Sequence, residues 1–202
     1  SGASTHASES TDLENTCNSV TVIDPDLLVY TDEFGNRQTS SGIVKRIPVG
    51  LGPSDVTVTR DGLYAIVTNT REGTLSIIST LDLKEVDLNP YTPDTIDRIR
   101  VPTGGHPFYI TAMPDPLVDV EDPIVELQEW IVMTDQTSAN IFYFSMDELW
   151  ETVREQDPFS PFDFTTRACD LDAKGVYVTT GLTGLDFSPD GTFLYVATPG
   201  KE

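Results

Sequence analysis

Three stretches of this chain repeat one pattern in one register, and internal repetition on this scale confines a fold to stacked copies of a small unit. The first runs Gly50-Leu51-Gly52-Pro53-Ser54-Asp55-Val56-Thr57-Val58-Thr59-Arg60-Asp61-Gly62 and continues Tyr64-Ala65-Ile66-Val67-Thr68-Asn69. The second runs Gly104-Gly105-His106-Pro107-Phe108-Tyr109-Ile110-Thr111-Ala112-Met113-Pro114-Asp115 and resumes after an insertion as Trp130-Ile131-Val132-Met133-Thr134-Asp135. The third is Gly181-Leu182-Thr183-Gly184-Leu185-Asp186-Phe187-Ser188-Pro189-Asp190-Gly191, followed by Leu194-Tyr195-Val196-Ala197-Thr198-Pro199. Pro53 precedes Asp61 by the interval that separates Pro107 from Asp115, and Leu182 takes the proline position in the third copy.

Each copy reads as an alternating strand, a tight turn and a second strand, because Asp-Gly supplies the positive φ that a hairpin turn needs. These are strands A and B of a unit. Strand C follows as Gly73–Thr80 and Ala139–Ser145, and the same pattern stands near the start at Asn18–Asp24. Strand D is expected at Ile43–Val49, Ile96–Val101 and Gly175–Thr179. The predicted order is C-D, A-B-C-D, A-B-C-D, A-B.

At these residues the chain resembles the YVTN β-propeller repeat family, whose pattern joins a glycine-proline opening, a Ser-Pro-Asp-Gly-like hairpin and a Tyr-Val-Thr-Asn-like second strand. The matching residues are Ile66-Val67-Thr68-Asn69, Val132-Met133-Thr134-Asp135 and Tyr195-Val196-Ala197-Thr198, with Ser188-Pro189-Asp190-Gly191 as the hairpin. The resemblance implies an all-β fold, a β-propeller of four-stranded antiparallel blades, with about three blades' worth in this chain. The expected layout is a flexible leader at 1–17, C-D strands at 18–49, blades at 50–102 and 103–180, and A-B strands at 181–202. Propellers close with about four to eight blades. The expectation is therefore a longer ring that continues elsewhere, or two chains that combine.

Antiparallel succession puts the D-to-A and B-to-C connections on one face and the A-to-B and C-to-D connections on the other. The long insertions, 24–43, 82–95, 114–128 and 145–174, all fall in the second class. The last holds a predicted helix, Met146–Glu155, whose apolar positions 146, 149, 150 and 153 form one stripe. That stripe covers the underside of the sheets or meets a partner, which makes Leu149 and Trp150 binding-face candidates.

Composition narrows the partners. Acidic residues number 33 against 12 basic, a net charge of −21, and such a field repels nucleic acid and anionic membrane surfaces. No run approaches the roughly 18 apolar residues of a membrane span, so membrane insertion is not expected. The acidity, the small polar leader and the family resemblance together point to a location outside the cytoplasm: periplasmic, secreted or on the cell surface. Two cysteines, Cys17 and Cys169, precede an early and a late strand, and either one bridge or two thiols suits that spacing.

Candidate chemistry is sparse. Asp170-Leu171-Asp172-Ala173-Lys174-Gly175 has the alternating carboxylates and glycine of a calcium loop, so Asp170 and Asp172 are candidate ligands. A lysine at a ligand position and the missing bidentate glutamate favour an ordinary turn. Asp24, Asp26 and Asp32 form a similar group. No cofactor is expected, with calcium as the one candidate. His106 stands where strand A begins, on the short-connection face, alone and therefore more a loop residue than a catalyst. Asn69 and Asp135 share the position after strand B, and Asp55 and Asp186 are expected to align within strand A. Repetition gives all four a structural role first, with Asn69, Asp135 and His106 as further binding-face candidates. No phosphate loop, nucleophile elbow or zinc-protease motif occurs.

The reading is a non-catalytic binding or scaffolding module whose long loops form the interaction face, with a protein partner or further blades of the same propeller as its counterpart. A propeller enzyme of lactone-hydrolysing or quinone- or metal-dependent type is the alternative, and a structural spacer is the third.

Overall fold

The computed structural model describes residues 18–88, 95–101, 105–114, 129–137, 140–155 and 182–198, with 152–155 described by backbone alone. The leader, Cys17, Cys169, Asp170, Asp172 and the strand expected at 175–179 lie outside the described residues. The described chain is mostly antiparallel β-sheet with one short helix. It divides into two compact units, Ser1–Pro48 and Val49–Glu202.

In the first unit, β1 (Ser19–Ile23) pairs antiparallel with β4 (Ile43–Pro48), Val20 opposite Ile47. These are the strands expected as C and D. The connection between them folds on itself. Asp24 caps a single 3-10 turn at Pro25–Leu27 by accepting the Asp26 amide at 2.9 Å, and a hairpin follows, β2 (Val29–Thr31) with β3 (Arg37–Thr39).

The second unit opens with a sheet ordered β5 (Pro53–Val58), β6 (Tyr64–Asn69), β7 (Thr74–Ser79), β8 (Lys84–Glu85), with β9 (Ile99–Arg100) also on β7. A continuous fourth strand at Ile96–Val101 behind an insertion at 82–95 is not what forms. Strand D starts at once after a tight turn, with Lys84 opposite Ser79, and its second half is β9, with Ile99 opposite Leu75. The insertion therefore interrupts strand D instead of preceding it. Its stem is pinched where Val86 N donates to Ile77 O at 2.7 Å and Asp97 N donates to the Asp87 carboxylate at 3.2 Å.

Arg98 closes the base of that excursion. Its Nε and Nη2 donate to the two Glu85 carboxylate oxygens at 2.6 and 2.8 Å, and Nη1 reaches Glu72 at 3.3 Å. The Glu85 side chain is only 2% exposed. The paired carboxylates raise the guanidinium's pKa, chiefly through the hydrogen bonds to Glu85, so the arginine is charged at every accessible pH.

The second repeat is β10 (Pro107–Ala112), β11 (Trp130–Asp135) and β12 (Ile141–Ser145), running directly into α1 (Met146–Glu155). The third is the pair β13 (Gly184–Phe187) and β14 (Leu194–Ala197). The A-to-B turns of the first and third repeats match atom for atom. Thr59 N and Ser188 N donate to Tyr64 O and Phe193 O at 2.8 Å, Asp61 and Asp190 accept the amides of Leu63 and Thr192, and Gly62 and Gly191 have φ of 71° and 69°. Only glycine adopts that φ without strain, as the Asp-Gly reading requires.

Hairpin pairing also corrects one expected alignment. Thr57 lies opposite Ile66, and Asp186 lies opposite Tyr195, each one residue from the turn-proximal end of its strand. Asp186 is therefore the counterpart of Thr57, and Gly184 is the counterpart of Asp55. A two-residue offset keeps the side chain on the same sheet face, which is why alternation alone does not expose the slip.

Period-2 alternation gives each sheet two faces, and the three sheets stack through them. Tyr64, Ile66, Leu75 and Ile77 of the first repeat meet Ile110, Ile131, Met133 and Phe144 of the second. The opposite face of the second repeat, Val132, Ile141 and Tyr143, meets Leu185, Phe187, Leu194 and Val196 of the third. Strand β10 accordingly packs against β5 on one side and β13 on the other. Polar bonds index the stack: Ile110 N and Ala112 N each donate at 3.0 Å, to the Asp55 carboxylate and the Thr57 hydroxyl.

Candidate functional site

The short connections are knitted by the residues that carry the repeat signature. Thr68 and Thr134 occupy the same register position, and each hydroxyl accepts an amide of the neighbouring strand A, Asp55 N and Tyr109 N, at 3.1 Å. Both bonds sit where the ladder slips, between Pro53 and Asp55 and between Pro107 and Ile110. A side chain thus takes over where a bulge removes a main-chain partner.

The next residue braces the loops. Asn69 is fully buried and donates from Nδ2 to Thr74 Oγ1 at 3.1 Å and to Ser76 Oγ at 2.9 Å. Its counterpart Asp135, 2% exposed, accepts the His106 amide at 3.0 Å and both the amide and hydroxyl of Thr137 at 2.7 and 2.8 Å. A Cβ on Gly50 would stand 2.5 Å from Asn69 Nδ2 and from Glu72 Oε2, which explains the glycine that opens the first copy. The half-buried His106 ring places Nδ1 2.9 Å from Thr70 O and donates there. Asn69, Asp135 and His106 come together as a scaffold for the loops, and the first two present no surface to a ligand.

The long-connection end is built differently. Ser145 and Glu148 form a reciprocal capping box, Glu148 N donating to Ser145 Oγ at 3.1 Å and Ser145 N to Glu148 Oε2 at 3.2 Å, so α1 starts on the last residue of β12. Leu149 is fully buried in the core between the first two repeats, and the Trp150 ring lies 5.1 Å from Tyr64. These two candidates pack inward, and the helix is part of the core. Val153 lies beyond the described side chains.

Between the second and third repeats lies an apolar cavity of about 310 Å³ that runs from Met113 and Trp130 to Ile141, past Val132, Tyr143, Phe187 and Leu194. Trp130 and Tyr143 meet edge to face at 5.4 Å on its wall. Sequence reasoning missed this site, although the signal was present as bulky side chains on alternate residues of β11 and β12.

The insertion carboxylates organise turns. Asp32 accepts the amides of Phe34 and Asn36 at 3.0 and 2.8 Å and the Gln38 side-chain amide at 2.9 Å. No three His, Cys, Asp or Glu side chains among the described residues converge to hold a metal ion. The Gln38 bond, followed by the amide bonds, lowers the Asp32 pKa from its ordinary 3.8. A depressed carboxylate supports the hairpin fully above the ordinary value and loses that support as pH falls through the lowered one. Carboxyl-detected NMR titration should place the Asp32 midpoint below that of a free aspartate, and Gln38→Leu should move it upward.

No family model and no curated protein matches the chain. A solved structure, hydrazine synthase of Kuenenia stuttgartiensis, is similar over 89% of this chain at 14% identity and a TM-score of 0.47. The chain spans 35% of that structure's length.

Proposed function

We propose that this chain is a sector of a YVTN-type β-propeller serving as a non-catalytic binding or scaffolding module outside the cytoplasm. The observation that carries the reading is the set of exposed apolar side chains on the turns of the second unit. At the short-connection end, Asn69 bonds the Thr74 and Ser76 hydroxyls, Asp135 accepts the His106 and Thr137 amides, and His106 bonds Thr70 O, with Leu51 54% exposed beside them. At the long-connection end, apolar side chains stand out from the turns: Leu81 is 80% exposed, Phe193 63% and Leu63 42%. Exposed apolar groups standing on several turns of one unit mark an interaction surface.

Further blades of the same propeller, or a second protein, would complete the stack. Membrane insertion is not part of the proposal, and no helix among the described residues is long and apolar enough to cross a bilayer. The test joins two assays on the full chain. Leu81→Ser with Phe193→Ser should leave thermal unfolding nearly unchanged and abolish co-purification of a defined partner from the native source. Hydrolysis of a simple lactone that disappears in His106→Ala would instead establish the enzymatic alternative.

A further inference from the structure

We draw no further inference here: the strongest candidate, the exposed apolar patch of Val29, Tyr30 and Phe34 on the β2–β3 hairpin, supports none, because nothing in the structure shows what covers it.

Discussion

Leu149→Ala should cost about 3 kcal/mol of folding stability, because truncating a sealed leucine removes its transfer free energy and leaves a cavity behind. The side chain is fully buried among Ile66, Met133 and Phe144 in a core assembled from two repeats and the helix. Because α1 follows β12 with no connecting residue between them, the helix is not free to shift onto the sheet and collapse the void. The urea midpoint should fall at an unchanged slope, as for a folded state that is weakened and not rearranged. A loss below 0.5 kcal/mol would be the behaviour of a surface residue. That outcome would return Leu149 to the partner-facing role that its stripe alone allows.

Arg98→Met should be comparably severe, about 3 kcal/mol, for a different reason. Methionine keeps much of the stem but removes both donors from Glu85, whose carboxylate is almost sealed from solvent. An ionised group stranded in that way costs more than the pair contributes when intact, since desolvation offsets much of the attraction. The combined Glu85→Met and Arg98→Met variant should therefore recover most of the loss. A double variant as unstable as Arg98→Met alone would mean that the clamp shapes the excursion through geometry and not through charge.

The hairpins and the order of strands were legible because alternation and Asp-Gly turns are local. Gly62 and Gly191 take the positive φ that such turns demand, and the strand pairs form where the repeats place them. The split of strand D was not legible. Nothing in Lys84-Glu85 distinguishes a strand from a turn, and its pairing depends on Arg98, which lies across a long excursion in the chain. Leu83, a non-glycine residue at φ 51°, lets the chain turn there without the usual glycine signal.

Site residues divide along the same line. Asn69 and Asp135 were visible as a repeated polar position, and their burial and bonds show why a position after strand B repeats at all. The cavity was legible only as bulky side chains on alternate residues of β11 and β12, because its walls come from two sheets. The stripe of α1 was visible, while its direction was settled by Tyr64, a residue of another repeat.

The stacking of successive strand A elements is what the account rests on, and amide hydrogen exchange tests it most directly. Ile110 N and Ala112 N lie on an edge strand of the second sheet, and their acceptors are side chains of the first, Asp55 and Thr57. Both amides should exchange as slowly as those of β11, and Asp55→Ala should speed Ile110 while Ala112 stays slow. Rapid exchange at both amides beside a protected β11 would show that the two sheets do not stack in this register, and the propeller reading would fall with it.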